Sequence, residues 1–158
     1  MIQVTVRKAT PDDAGALADL RLAGLSESGR ADDLDRAAFV DAFSGWLREH
    51  QSTHQPFLAH VGVEVVGMAW LMVAERVPGP DALRRRCGDV QAVYVVPWMR
   101  SGGIGALLLD AVLAEAAGLR LEHVTVHSSE RAVRFYQRTG FQHDQRWLRW
   151  EPPHRPAE

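Results

Sequence analysis

The sequence contains a single cysteine, no long apolar run and no excess of positive charge. Because Cys87 stands alone, a disulfide framework is excluded, which fits a reducing compartment. No run of about 18 apolar residues is present, and residues 1–13 lack the apolar core of a signal peptide. The formal net charge of -2 removes the basic field that is typical of nucleic-acid-binding proteins. We therefore expect a cytoplasmic protein that binds neither membranes nor nucleic acids.

The sequence does contain enough apolar residues for one core. Its 158 residues are 46% hydrophobic and 24% charged, which is typical of one globular domain. A chain of this length buries a core without disulfides or metals. We predict one domain over residues 1–151 and a frayed tail, rich in proline and charge, over residues 152–158.

The N-terminal third predicts one strand and two helices. Apolar residues alternate over residues 2–6, which predicts a strand. Thr10 is a candidate cap for the first helix, with Pro11 at its first position. The second helix is predicted from about Leu34 to His50. The apolar face of this second helix consists of Phe39, Phe43, Trp46 and Leu47.

The rest of the chain predicts a mixed sheet. Residues 56–77 read as two strands with a turn near Gly62, followed by a loop over residues 78–89, which includes Cys87, and a strand from Asp89 that ends at Pro97. A helical stripe follows at Ile104, Leu107, Leu108, Ala111 and Val112. After the next strand comes a helix with Ser129 as candidate cap and Gly140 as candidate stop. Residues 141–150 are predicted to close the chain as one or two strands. The order β-α-α-β-β-β-α-β-α-β indicates an α/β fold with a mixed sheet.

The stretch YVVPWMRSGGIG, residues 94–105, predicts an anion-binding turn. Three glycines between a strand and a helix let bare N–H groups approach a bulky anion at the positive end of the helix. Arg100 adds a positive charge beside them. The missing Lys-Ser/Thr pair excludes a nucleotide-triphosphate loop, and the glycine spacing does not match the dinucleotide fingerprint. A plain tight turn stays open as the alternative.

The order of elements and several local motifs resemble the GCN5-related N-acetyltransferase (GNAT) family. The motifs are VYVVP, RSGGIG in the pattern Arg/Gln-x-x-Gly-x-Gly/Ala, and AVRFYQRTGF in the pattern Ala-x-x-Phe/Leu-Tyr-x-x-x-Gly-Phe. The resemblance is specific over residues 89–142 and looser before them. It implies a GNAT-like fold and an acetyl-CoA-dependent N-acetyltransferase.

The resemblance also implies the residues that hold acetyl-CoA. Backbone amides of the glycine turn would hold the diphosphate, and a bulged strand would pair with the pantetheine arm and polarise the thioester carbonyl. The residues of the turn are Arg100, Ser101, Gly102, Gly103, Ile104, Gly105 and Ala106. Those of the bulged strand are Val93, Tyr94 and Val95.

The motif AVRFYQRTGF and the serine three residues before it supply the remaining candidates for cofactor contacts and for the acid. Tyr136 matches the family tyrosine that protonates, or hydrogen-bonds to, the leaving thiolate, with packing as its alternative role. Phe135 is read as a packing residue that contacts the cofactor. Ser129 stands where many members carry asparagine, so its predicted cofactor contact depends on a shorter side chain.

A base is needed because a lysine-like amine is almost fully protonated at pH 7. The resemblance to histone-acetylating members points to Asp89, where those members carry glutamate, acting through a water. His127 and a water chain stay open as alternatives. Spacing along the chain separates His123 from His127 by about 13 Å, so they cannot share one ion, and no metal is predicted.

The acceptor is predicted to be the primary amine of a small molecule. The resemblance to the GNAT family implies that its walls come from the first two helices, the loop before the glycine-turn strand and the last strands. Candidate wall residues are Phe39, Trp46, Trp70, Arg84, Arg85, Arg86, Trp147 and Trp150. A catalytically silent acyl-CoA sensor, a protein acetyltransferase and a homodimer all stay open. Since Cys87 stands away from the glycine turn, direct transfer is favoured over an acetyl-enzyme.

Overall fold

The computed structural model describes residues 2–30 and 35–153 and divides the chain into two compact units. The first unit is Met1–His127 and the second is Ser128–Glu158. The first unit contains the sheet and three long helices, and the second contains one short helix. Each unit is described below by itself.

A single mixed sheet forms the first unit. Its strands are β1 Val4–Lys8, β2 His54–Val61, β3 Glu64–Arg76, β4 Arg85–Val95 and β5 Val124–Val126. They lie in the order β1-β2-β3-β4-β5. All neighbouring strands are antiparallel except β4 and β5, which are parallel. The predicted mixed sheet is therefore confirmed, with α3 as the crossover between β4 and β5.

Three helices belong to this unit: α1 Ala14–Glu27, α2 Arg36–Glu49 and α3 Ile104–Gly118. A 3-10 turn with Pro11 at its first position precedes α1, and the Asp13 carboxylate accepts the Thr10 N–H at 2.8 Å. The Asp35 side chain caps α2 by accepting the Ala38 N–H. The predicted start of α2 at Leu34 lies outside the described residues.

The core lies on both faces of the sheet. A Cβ added to Gly67 of β3 would meet Leu108 of α3 at 3.1 Å, so α3 covers that face. Trp70, three residues further along β3, contacts Phe43 of α2 on the opposite face. In the predicted stripe of α3, Leu107 is 43% exposed, whereas its neighbour Leu109 is buried.

The start of β4 differs from the sequence prediction. The loop predicted up to Asp89 ends at Arg84, and β4 already begins at Arg85. Cys87, predicted to precede this strand, pairs with Ala74 inside it. Gly88 is buried, and a Cβ there would meet Leu71 and Leu121 at 2.9 Å each. Because Gly88 has no side chain, Leu71 and Leu121 can pack closely against it, and β4 extends into a segment whose composition indicated a loop.

The second unit is mostly irregular. A 3-10 turn at Glu130–Ala132 leads into α4 Val133–Arg138, and Gly140 with a φ of 104° ends the helix region, as predicted. Ser129 stands at the cap position, but its hydroxyl makes no capping hydrogen bond.

The strands predicted over residues 141–150 are absent from this part of the described chain. The Asp144 carboxylate accepts both the Arg146 N–H and its guanidinium, and the Asp144 carbonyl accepts the Trp147 N–H. A local turn thus takes backbone groups that a strand would need.

Candidate active site

The glycine turn joins β4 to α3 in a conformation that only a few residue types adopt easily. Gly103 has a φ of 81° and stands at the cap position of α3, and Ser101 has a φ of 64°. A non-glycine residue with positive φ is strained, and such strain concentrates at functional sites. Around Gly103, an added Cβ would meet nothing within 4 Å, so the space above the turn is open.

The N–H groups of this turn are available to a ligand. The first backbone hydrogen bond of α3 runs from the Leu107 N–H to the Gly103 carbonyl, at 3.1 Å. For the six N–H groups of residues 101–106, no backbone acceptor occurs within the ranges that the structure describes. Free N–H groups at a helix start, with the helix dipole behind them, form an anion site. The residues present therefore fit the predicted diphosphate cradle.

Hydrogen bonds fix the Arg100 side chain at the protein surface. Its Nε donates to the Val95 carbonyl at 2.9 Å, and its Nη2 donates to both carboxylate oxygens of Glu27. The Tyr94 hydroxyl donates to the same carboxylate at 2.6 Å, and the Arg100 guanidinium lies 5.5 Å from the centre of the Tyr94 ring. The charge of Arg100 is thus balanced by Glu27, and its side chain holds the glycine turn against α1.

This network fixes the protonation of Tyr94. Burial, followed by the hydrogen bond to Glu27, raises the pKa of Tyr94 to about 12. Hydrogen bonds from Tyr94 and Arg100 lower the pKa of Glu27. At neutral pH the Tyr94 phenol therefore stays protonated and donates its hydrogen bond to Glu27, whose carboxylate is ionised.

A bulge interrupts the ladder between β3 and β4 just before the turn. Trp70 pairs with Gln91 and Met68 with Tyr94, so Ala92 and Val93 together oppose the single residue Ala69. Ala92 has a φ of 52°, as the first residue of a bulge often departs from extended geometry. The bulge that the resemblance implies is present at this position.

The neighbouring strand leaves β4 at the same level. The pairing of β5 with β4 runs only from Gly88 to Val90, whereas β4 continues to Val95. On the β5 side, the edge of β4 from Gln91 onward therefore has no strand partner within the described part of the chain. An unpaired edge can accept an extended ligand as an additional strand, which is the role predicted for Val93, Tyr94 and Val95.

Asp89 lies in β4, three residues before Ala92 of the bulge. Its carboxylate accepts the Thr125 hydroxyl at 2.7 Å and the Gln91 amide at 3.2 Å. Asp89 pairs with Met72 and Gln91 with Trp70, so these side chains share the sheet face that α2 covers. The two donors orient the carboxylate, which is half-buried.

A cavity of about 230 Å³ lies between α1 and the bulge. Its walls are formed by Leu20, Arg21, Gly24, Leu25, Ser28 and Arg30 from the α1 side, and by Met68, Ala92, Val93 and Tyr94 from the sheet. A Cβ on Gly24 would meet the Tyr94 ring at 3.2 Å, so this glycine lets the ring lie against α1. The cavity thus opens directly onto the bulged segment of β4.

Aromatic rings cover the same sheet face further from the bulge. Phe43 contacts Phe39 and Trp46, and both Phe43 and Trp46 contact Trp70. Trp46 also stacks on His50 at 4.6 Å and is 36% exposed. The predicted apolar face of α2 is confirmed, and none of these rings lines the cavity beside the bulge.

The three consecutive arginines lie at the opposite end of β4. Arg85 forms an ion pair with Glu122, and Arg86 donates to the Leu119 carbonyl at 2.8 Å. At the strand rise, Arg85 is roughly 23 Å from Ala92. With Arg84, these residues line a separate cavity of about 690 Å³ and no part of the cavity beside the bulge.

The second unit carries the remaining predicted residues. The ring of Tyr136 contacts Phe135 at 5.1 Å and Phe141 at 5.6 Å, and burial raises the pKa of its phenol. Ser129 is exposed. Trp147 and Trp150 of this unit are 55% and 79% exposed.

Two further features concern metals and membranes. Over residues 2–30 and 35–153, no group of three or more histidine, cysteine, aspartate or glutamate side chains could hold a metal ion. Within the same ranges, none of the helices has the length and apolar character that crossing a bilayer requires.

Sequence reasoning missed Glu27, Arg21 and Thr125. Glu27 closes α1, 73 positions before Arg100, and no spacing rule connects the two. Thr125 could have been found, because a short strand after the crossover helix must pair beside β4 and its alternate residues share a face with Asp89.

A family model for the acetyltransferase (GNAT) domain matches residues 37–147, more than half of the chain. No curated protein matches it significantly.

Solved structures match almost the whole chain. A GCN5-related N-acetyltransferase from Ralstonia eutropha is 27% identical, with 94% of this chain and 99% of that chain covered and a TM-score of 0.71. A predicted acetyltransferase from Clostridium acetobutylicum, solved with acetyl-CoA, is 20% identical, with 94% and 96% covered and a TM-score of 0.76. Glucosamine-6-phosphate N-acetyltransferase from Arabidopsis thaliana is 14% identical, with 94% and 98% covered and a TM-score of 0.72. The latter two, at this identity, show the shared fold.

Proposed function

Because this chain belongs to the GNAT acetyltransferase family, we propose that it moves the acetyl group of acetyl-CoA directly to the primary amine of a small molecule. The enzyme class, an acetyl-CoA-dependent N-acetyltransferase, follows from the family. The direct mechanism, the acceptor and the residue roles are the proposal. The observation that carries it is the bulge at Ala92 and Val93, which lines a small cavity and belongs to the part of β4 that has no β5 partner among the described residues.

The glycine turn is proposed to hold the diphosphate. The N–H groups of Ser101 to Ala106 have no backbone acceptor among the described residues, and Gly103, where an added Cβ would meet nothing within 4 Å, leaves room for close approach. Arg100 acts here by fixing the turn, since its own charge is balanced by Glu27. Ser129 and Phe135 stay proposed cofactor contacts.

The edge of β4 is proposed to hold the pantetheine arm. Backbone groups of Val93, Tyr94 and Val95 would pair with it as with an added strand. When bound, acetyl-CoA supplies a thioester carbonyl, and an N–H freed by the bulge is a preorganised donor for its oxygen.

The cavity beside the bulge is proposed to take the acceptor. Its volume of about 230 Å³ lies below the range of about 300–1,000 Å³ that is typical of sites for drug-sized ligands. A small amine fits such a cavity better than a folded peptide segment. Its position on the α1 side of β4 would bring the amine to the bulge.

Two side chains are proposed to move protons. Asp89, oriented by Thr125 and Gln91, would accept the amine proton through a water. Tyr136, whose raised pKa keeps its phenol neutral, would protonate the leaving thiolate. His127 stays an alternative base.

The experiment is mass-spectrometric detection of acetylated product. The protein and acetyl-CoA are incubated with a mixed panel of amines, amino acids, polyamines, aminoglycosides and short peptides. We expect acetylation of small amines. Products confined to peptides would make it a protein acetyltransferase. Acetyl-CoA binding without any product would favour a sensor.

The direct mechanism has its own test. Cys87 is the one thiol of the chain, so Cys87→Ala should keep full turnover. Loss of turnover, together with an acetyl-thioester on Cys87 in the wild type, would refute direct transfer.

A further inference from the structure

The cavity beside the bulge has cationic side chains on its α1 wall. Arg21, Gly24, Leu25 and Ser28 follow the spacing i, i+3, i+4 and i+7, which places them on one helix face. That face is turned toward the bulge, since a Cβ on Gly24 would touch the Tyr94 ring. Arg30, just beyond the end of α1, lines the same cavity.

The described carboxylates close to these arginines in the chain already have partners. Asp19 pairs with Arg36, and the two oxygens of Glu27 accept from Arg100 and Tyr94. Over residues 2–30 and 35–153, neither Arg21 nor Arg30 forms an ion pair with a carboxylate. The described residues that line the cavity therefore include two guanidinium groups and no carboxylate.

A cavity of this charge disfavours a simple alkylamine. At neutral pH such an amine is a cation, and two guanidinium groups would repel it. Guanidinium groups instead form short, charge-assisted hydrogen bonds to carboxylates and phosphates.

We infer that the acceptor carries an anionic group, a carboxylate or a phosphate ester, which Arg21 and Arg30 hold while the amine faces the bulge. This inference rests on the proposed function, because it takes the cavity as the acceptor site. The same arginines assist the reaction, since nearby positive charge disfavours protonation of the amine and raises the fraction that can attack.

The test compares acceptors that differ in one charge. Each L-amino acid is compared with its own carboxamide, and 2-aminoethyl phosphate is compared with ethanolamine. We expect kcat/KM to be about tenfold to a hundredfold higher for the anionic member of at least one pair, the effect of one charge-assisted hydrogen bond. A preference for the anionic member among the amino-acid pairs would indicate a carboxylate. A preference for 2-aminoethyl phosphate over ethanolamine would indicate a phosphate ester.

Variants assign the preference to the arginines. Arg21→Gln and Arg30→Gln should each reduce the anionic-to-neutral ratio of kcat/KM about tenfold, with acetyl-CoA affinity unchanged. Arg48→Gln, on the exposed surface of α2 and outside the cavity, is the matched control and should keep the wild-type ratio. Thermal melting of all three variants shows whether a loss reflects misfolding.

A binding measurement tests this inference independently of the proposed function. Calorimetric titration of each acceptor pair into the CoA-bound protein requires no turnover. Tighter binding of the anionic member in the wild type, and loss of this preference in Arg21→Gln, would support the inference. If no amine were acetylated in spite of such binding, only the proposed function would be overturned. Equal binding and equal kcat/KM within every pair would overturn the inference and leave the acetyltransferase intact.

Discussion

The guanidinium of Arg100 donates to both carboxylate oxygens of Glu27, at 3.0 and 2.7 Å, and joins the glycine turn to the end of α1. Tyr94 donates to the same carboxylate from β4. One acidic side chain thus connects the proposed diphosphate cradle, the bulged strand and the wall of the proposed acceptor cavity.

Replacement of Glu27 should change the ionisation of Tyr94. Burial and the Glu27 hydrogen bond raise the pKa of Tyr94 to about 12, so the phenol stays neutral until that pH. In Glu27→Gln the carboxylate contribution is lost and the pKa should fall toward the ordinary value near 10.

Tyrosinate absorbance checks this in a Tyr136→Phe background, where Tyr94 is the one remaining tyrosine. At pH 11 the Glu27→Gln variant should be measurably more ionised than its parent. Glu49→Gln, at the end of α2, serves as the control and should titrate like the parent. Identical titration of all three proteins would show that Glu27 does not hold the phenol.

A negative charge on the glycine turn should abolish acetyl-CoA binding. Gly103→Asp places a carboxylate beside the proposed diphosphate, whereas Gly103→Asn adds nearly the same volume without charge. Aspartate and asparagine both tolerate the left-handed backbone of this position better than other residues. We expect at least about a hundredfold loss of affinity for the aspartate and a much smaller loss for the asparagine, from two repelling charges near 4 Å. Calorimetry with acetyl-CoA measures both, and unchanged affinity in Gly103→Asp would mean that the cradle lies elsewhere.

Removal of the Asp89 charge should slow turnover without weakening the cofactor complex. Asp89→Asn keeps the shape of the side chain but cannot accept a proton. A loss of about a hundredfold in kcat is expected for a general base. Asp89→Glu keeps the carboxylate and should retain more activity than the asparagine variant. Equal activity of the asparagine variant and the wild type would indicate that His127 or a water chain, and not Asp89, is the general base.

Removal of the Tyr136 hydroxyl should also act on turnover. Tyr136→Phe preserves the ring contacts with Phe135 and Phe141. Because burial raises the pKa of this phenol, it stays protonated through the neutral range and can serve as an acid there. Kinetics should show kcat reduced about tenfold to a hundredfold, with the Kd of acetyl-CoA nearly unchanged. If kcat is unaffected, Tyr136 is a packing residue.

The ion pair at the start of α1 should make stability depend on pH in the acid range. The Arg7 hydrogen bond lowers the pKa of Asp13 to about 2, below its value near 3.9 in an unfolded chain. A depressed pKa stabilises the fold fully above about pH 4, and this contribution is lost as the pH falls toward 2.

Asp13→Asn should therefore cost about 1 kcal/mol at pH 7, from the ion pair and the Thr10 N–H, and this cost should shrink as the pH falls toward 2, where the wild-type carboxylate is about half protonated. Urea unfolding of the wild type and the variant from pH 7 to pH 2 measures the difference. Asp12→Asn, at the exposed neighbouring position, is the control. A difference that does not shrink in acid would contradict the assignment.

Local patterns determined much of this protein. Alternation, the glycine turn and the two motif stretches predicted the mixed sheet, the crossover helix and the family, because each depends on residues that are close in sequence. The positive φ at Gly103 and the free N–H groups before α3 follow from the same short stretch. The roles of Asp89, Tyr136 and the cofactor residues stay predictions.

Only the tertiary structure decided the rest. Arg85 reads as part of a charged loop, yet it lies in β4, where it pairs with Arg76 of β3 and its guanidinium forms an ion pair with Glu122, 37 residues away. Residues 141–150 are predicted to form one or two strands, yet a local turn at Asp144 takes backbone groups that a strand would need. The balance of Arg100 by Glu27, and the cavity that Arg21 lines, arise where α1 crosses β4. Such contacts join positions far apart in the chain, and their partners are chosen by the packing of the whole sheet rather than by any local preference.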